Sequence, residues 1–222
     1  MKVTCGCMIL AREGQGRLIQ CLESALKSGC FEEIIILLDS RAKPGIRNLI
    51  GAYLRNYPQI KVYEYVWSKP ADFADARNHA IEVMTAQYGF WLDGDEVLLE
   101  PEGIRQILEN PKGCAYNMTV VSLLPDGSRF DMYQPRLFPV KPGVFFECAV
   151  FERLDWALQR AGVCIVDTVL TPIWHTGYLC QTTNRDKMYR NISAAHGWLS
   201  VNNQASPQWY HVRVQYSKMT GE

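Results

Sequence analysis

The 222-residue sequence predicts an α/β fold in which a mostly parallel central sheet is flanked by helices. Three observations predict it. Apolar runs of strand length alternate with helical periodicity through residues 1–99, in a βαβαβαβ order. One run, Ile34-Ile35-Ile36-Leu37-Leu38, is continuously apolar and fits a strand buried on both faces. After residue 100 two longer strand-like runs flank a turn, which adds a mixed half to a Rossmann-like first half.

Each element has its own signal. Residues 3–10 read as a first strand. Leu18, Cys21, Leu22, Ala25 and Leu26 follow helical spacing, and Gly29 is a stop. Residues 33–39 form the second strand. Ile46, Leu49, Ile50, Tyr53 and Leu54 mark the second helix, and residues 60–66 the third strand. Phe73, Ala76, Ala80 and Met84 give a third helix, with a fourth strand over 89–92. A short helix to about residue 109 follows Glu100-Pro101. Strands over 115–123 and 130–138 flank the turn Pro125-Asp126-Gly127-Ser128. A short amphipathic piece ends at Arg160, with strands near 163–166 and 169–174. The last twenty or so residues are polar and aromatic and carry no assignment.

Lys+Arg and Asp+Glu balance at 23 each, which argues against bulk nucleic acid as a partner, since such affinity rests on a basic surface. No apolar run approaches the ~20 residues of a membrane-spanning helix, and the N-terminus lacks a signal-peptide pattern. A soluble, cytoplasmic protein is expected. The cysteines at 5, 7, 21, 30, 114, 148, 164 and 180 show neither CxxC nor zinc-finger spacing and are expected to be reduced and buried.

In parallel sheets ligands sit beyond the carboxyl ends of the strands. Ala11-Arg12-Glu13, Asp39, Trp67-Ser68 and Asp93-Gly94-Asp95-Glu96 all fall at that edge. The last group puts three carboxylates in four residues. They repel unless a cation compensates, and carboxylate oxygens suit Mg²⁺ or Mn²⁺. Gly94 leaves room for a ligand against the backbone. A solvated acidic turn capping the next helix accounts for the same residues. Asp72 caps the third helix, and Arg77 is either exposed or turned toward an anionic ligand. His175 is either structural or a third metal ligand. Lys187 and Arg190 lie in a polar segment expected to be mobile, as phosphate partners or as solvated surface. Glu147 and Glu152 stand among aromatics as candidate bases or as ordinary salt-bridge partners.

The order of motifs resembles family 2 glycosyltransferases. CMILAREG…RLIQCLESAL…EEIIILLDS resembles that family's opening. ADFADARNHAIEVM…YGFWLDGDEVL resembles its Phe-Ala-x-Ala-Arg-Asn and Leu-Asp-x-Asp-Glu segments. PRLFPVKPGVFFECAVFERL resembles its Arg-Leu-Phe stretch and His-Glu pair, and IWHTGY…KMYRN its His-x-Gly-Tyr segment. The resemblance runs from about Val3 to Asn191. It implies a GT-A fold over 1–222, with a nucleotide-sugar-binding half (1–99), an acceptor half (100–192) and a tail (193–222). It implies a nucleotide-sugar donor, a UDP-sugar in the first instance, and a divalent metal, Mn²⁺ or Mg²⁺. Asp39 and Arg77 match residues on the nucleobase side of the donor. Asp93 and Asp95 match the DxD pair, with Asp93 nearer the ribose and Asp95 on the metal. His175 matches the third protein ligand, and Glu152 the carboxylate of the His-Glu pair, hence the base of an inverting transfer. Glu147 is its alternative.

Three positions depart from that pattern. Arg12 replaces an Asn, Ser40-Arg41-Ala42-Lys43-Pro44 replaces Gly-Ser-x-Asp, and Phe151 replaces the His beside Glu152. A non-catalytic nucleotide- or sugar-binding module on a degenerate fold is the rival reading. A nucleotidyltransferase is a third, although Glu13-Gly14-Gln15-Gly16-Arg17 only faintly resembles a phosphate loop.

Overall fold

The computed structural model describes residues 3–12, 15–67, 72–168, 171–179 and 181–221, with residues 15 and 181–187 described at the backbone only. The alternating first half folds as β1 (Cys5–Ala11), α1 (Gln15–Ser28), β2 (Glu33–Asp39), α2 (Pro44–Asn56), β3 (Ile60–Tyr65), α3 (Phe73–Val83) and β4 (Tyr88–Asp93). All seven residues of β2 are buried, as its unbroken apolar run requires. Side chains alternate across the sheet. Cys5, Cys7, Ile9, Ile34, Ile36 and Leu38 join one core with α1 and α2. Met8, Ile35 and Leu37 join a second core with Ala76 and Ala80 of α3. Gly29 ends α1 at φ 63°, where a side chain would be strained. Asp72 caps α3 by accepting the Asp75 N–H at 2.8 Å.

The second half comprises β5 (Glu96–Leu98), α4 (Glu102–Glu109), β6 (Ala115–Leu123), β7 (Arg129–Pro139), α5 (Asp155–Arg160), β8 (Ile165–Asp167), β9 (Ile173–His175), α6 (Gln181–Val201) and α7 (Pro207–Thr220). The sheet runs β3-β2-β1-β4-β7-β6-β9-β5, with β8 on β6. β1 to β4 are mutually parallel, and β7 joins β4 antiparallel. One sheet therefore passes through both halves. Among the described residues no helix is long and apolar enough to cross a membrane.

Four expectations are corrected. The acidic turn is followed directly by β5, whose Glu96 pairs in register with His175 of β9. The segment holding Lys187 and Arg190, read only as polar and mobile, is part of the helix α6, and the unassigned last residues form α7. The strand expected at 163–166 is instead Ile165–Asp167, while residues 169 and 170 lie outside the described residues. Cys114 and Cys164 form a disulfide with Cα atoms 4.9 Å apart, whereas Cys5, Cys7, Cys21 and Cys148 are free thiols and buried as expected, and Cys30 is buried with them. Cys180 lies outside the described residues.

Candidate active site

Register brings the site residues to one edge. Leu10 pairs with Asp93 and Ala11 with Leu38, so Ala11, Asp39 and Asp93 end three adjacent strands. Asp39 is fully buried and both of its oxygens are engaged. Oδ1 accepts from the Arg41 N–H at 2.8 Å and from Arg41 Nε at 3.1 Å, and Oδ2 from Arg41 Nη2 at 3.1 Å. Arg12 Nε adds a contact to Oδ2 at 3.4 Å. Burial alone would raise this carboxyl, but the Arg41 and Arg12 contacts hold it below the usual carboxylate range. The two residues that depart from the family pattern thus cover Asp39 with positive charge. Glu13 lies outside the described residues.

At β4 the pattern is different. Trp91 carries two guanidinium groups against its ring, Arg136 at 3.4 Å and Arg77 at 4.2 Å from the centroid. Arg77 reaches from α3 and is 3% exposed, so the exposed alternative does not hold. Its Nη2 donates to Asp93 Oδ1 at 2.7 Å and its Nε to Glu152 Oε1 at 3.3 Å. Burial raises the Glu152 carboxyl above its ordinary value, although Arg77 opposes this. In Asp93, burial and the neighbouring Asp95 also push upward, but Arg77 and Arg136 prevail and its pKa falls. Glu147 stands apart from this group. Its oxygens accept from Gln208 Nε2 at 2.8 Å and Arg160 Nη2 at 2.7 Å.

Asp95 and His175 face each other, with Oδ1 and Nε2 3.4 Å apart. Ser122 Oγ lies 3.4 Å from Nδ1 of the same ring, and Tyr178 packs edge-on against it at 4.7 Å. The Asp95 carbonyl accepts from Thr176 N and Oγ1 at 3.0 and 2.9 Å, which ties the acidic turn to the strand carrying His175. When Nδ1–H is given to Ser122, Nε2 turns a lone pair beside the Asp95 carboxylate. That mixed oxygen and nitrogen pair fits Mn²⁺ and tolerates Mg²⁺. Among the described residues, no group of three or more His, Cys, Asp or Glu side chains could hold a metal ion.

Arg136 is the residue whose part in the site sequence reasoning missed, and with it the pairing that holds Glu96. Arg136 is 1% exposed and grips Glu96 through Nη1–Oε2 at 2.7 Å and Nη2–Oε1 at 2.8 Å. Glu96 Oε2 also accepts the Asp93 N–H at 2.8 Å, which fixes the backbone of the acidic turn. Both lie within motifs already singled out, but nothing in the spacing shows that they pair. Gly94 also has a packing reason. A Cβ there would lie 3.3 Å from the Leu10 carbonyl oxygen, so a side chain would crowd the end of β1 whether or not a ligand approaches. Arg190 on α6 lies over the Phe73 ring at 4.8 Å, and the Lys187 side chain lies outside the described residues.

Against known proteins, the family model described as Glycosyl transferase family 2 matches residues 7–153. No curated protein sequence matches significantly. Solved structures share the fold at low identity. Mannosyltransferase PcManGT from Pyrobaculum calidifontis, in complex with GDP-Man and Mn²⁺, aligns with TM-score 0.64 and 9% identity over 98% of this chain and 70% of its own. GalNAc-T7 with UDP, GalNAc and Mn²⁺ gives 0.59 and 10% over 97% of this chain and 54% of its own. S. aureus TarS 1-349 in complex with UDP gives 0.61 and 10% over 97% and 70%.

Proposed function

Because the chain belongs to glycosyl transferase family 2 and is a glycosyltransferase, we propose that it moves a sugar from a nucleoside diphosphate sugar to an acceptor hydroxyl with inversion. The observation that carries this reading is Arg77 held between Asp93 and Glu152 at the carboxyl edge of the sheet. Asp93 faces the ribose side of the donor. Arg12 and Arg41, anchored on Asp39, form the nucleobase side, where a UDP-sugar is the first donor to test. PcManGT with GDP-Man, and GalNAc-T7 and TarS with UDP, support a nucleotide donor of this class.

Glu152 is the base and Glu147 is not, because both Glu147 oxygens are already held by Arg160 and Gln208. Glu152 takes the proton of the acceptor hydroxyl as its oxygen bonds to the anomeric carbon. The bond from that carbon to the diphosphate breaks, and the diphosphate leaves with the electron pair. A well-placed base contributes roughly 10²–10⁴-fold. Asp95 and His175 would hold a Mn²⁺ or Mg²⁺ ion, which would supply positive charge beside the leaving diphosphate. Arg190, and Lys187 three residues before it, would cover the phosphates.

The test is nucleotide release from UDP- and GDP-sugars with Mn²⁺. Asp95→Ala is expected to lose metal-dependent turnover and to keep its circular dichroism spectrum. Undiminished turnover in that variant removes Asp95 from the metal site. Glu152→Gln is expected to keep donor-induced thermal stabilisation and lose transfer. If Glu147→Gln does so instead, the base is misassigned.

A further inference from the structure

Glu152 sits on a segment whose backbone cannot hold its shape unaided. Glu147 and Arg153 exchange backbone hydrogen bonds of 2.8 and 2.9 Å, which pinch residues 147–153 into a closed loop. Within it Cys148 has φ 70° and Phe151 φ 58°. Left-handed backbone at a residue with a side chain is strained and persists only where the surroundings enforce it. α3 enforces one side. Asn78 brackets the Phe146 backbone with bonds of 2.9 and 2.7 Å, and the Phe73 N–H donates to the Ala149 carbonyl at 2.7 Å.

α7 enforces the other. Gln208 Nε2 holds Glu147 at 2.8 Å. His211 Nε2 lies 3.2 Å from the Phe151 carbonyl oxygen, and its ring packs edge-on against Trp156 at 5.5 Å. A carbonyl only accepts, so Nε2 carries the proton. Cys148 and Phe151 pack with Ala194, Ala195 and Val212 of the helical pair. The accepting carbonyl belongs to the peptide that joins Phe151 to Glu152.

We infer that His211 is a positioning residue, which holds that peptide so that the Glu152 carboxylate stays against Arg77. This rests on Glu152 being the base. Misplacement of a reacting group by about 1 Å can cost about 10²-fold in rate.

Two variants separate the hydrogen bond from packing. His211→Phe keeps a ring on Trp156 and removes the N–H; His211→Gln keeps an N–H donor. Two readouts are taken: kcat and KM for nucleotide release with Mn²⁺, and the rate at which iodoacetamide alkylates Cys148, followed by mass spectrometry. Cys148 is buried in the same loop, and burial pushes its thiol up to about 12, so it reacts slowly while the loop is closed. His211→Phe is expected to lower kcat about 10- to 100-fold at unchanged donor KM and to speed Cys148 alkylation. His211→Gln is expected to stay near wild type in both. Unchanged alkylation and kcat in His211→Phe overturn the inference, as does an equal loss in both variants. Fast alkylation in His211→Phe, with Glu152→Gln as active as wild type, keeps the loop support but rejects Glu152 as base.

Discussion

Arg77 is one side chain asked to serve two carboxylates. It is buried, it donates to Asp93 and Glu152, and among the described residues its buried Nη1 has no hydrogen-bond partner. Its effects on Glu152 can be separated by pH. Burial raises the Glu152 carboxyl above the ordinary 4.5, and Arg77 lowers it again. The proposed base, Glu152, works ionised, so kcat/KM is expected to rise with pH through a limb above the usual carboxylate range. Arg77→Gln removes the charge that favours ionisation and is expected to move that limb to still higher pH, with a lower plateau. A limb that stays in place in this variant would show that it reports a different group.

The elements meet at the Glu96–Arg136 pair, which fastens β5 to β7 beneath the acidic turn. Both groups are buried, so losing one leaves an uncompensated charge, at a cost of about 3–5 kcal/mol. Arg136→Met is expected to lose about that much in urea unfolding. Adding Glu96→Gln, which keeps an acceptor for the Asp93 N–H, is expected to restore much of it. Additive losses in the double variant would deny the pairing. This pair also shows where the sequence stops being legible. β2 was readable because its apolar run is continuous, and α3 because Asp72 and the spacing of Phe73, Ala76 and Ala80 agree. β5 has three residues and opens on a buried acid, so neither period nor composition marks it. The partner that makes Glu96 tolerable lies forty residues on. α7 did carry signals: a Ser206 cap, Pro207 in the first turn, and Val212, Tyr216 and Met219 at helical spacing. Its polar and aromatic composition concealed them. Arg77, Asp93 and Glu152 meet because three separate elements converge on one edge, which motif order suggested but could not measure.

Over the whole molecule, one sheet runs through both halves of the chain, and the disulfide closes the second half onto itself. Cys114 precedes β6, Cys164 precedes β8, and the two strands pair in parallel directly beyond them. The Ala115 N–H donates to the Cys164 carbonyl at 2.8 Å, so the bridge reinforces a strand contact already present. The sequence separation is 50 residues, and the loop includes the β6–β7 hairpin, the Glu152 segment and α5. Closing such a loop restricts the unfolded chain, worth about 2–4 kcal/mol. Wild-type protein is therefore expected to melt at lower temperature once reduced with dithiothreitol. Cys114→Ala/Cys164→Ala should melt near the reduced wild type and ignore the reductant. Asp93, Asp95 and Arg77 lie outside the loop, and His211 and Asn78 hold the Glu152 segment from outside it. Turnover below the melting transition should accordingly survive reduction. A wild-type melt insensitive to dithiothreitol, with reduction verified by thiol titration, would remove the bridge from the stability of the fold. Turnover lost at a temperature where the reduced protein is still folded would make the bridge part of the site.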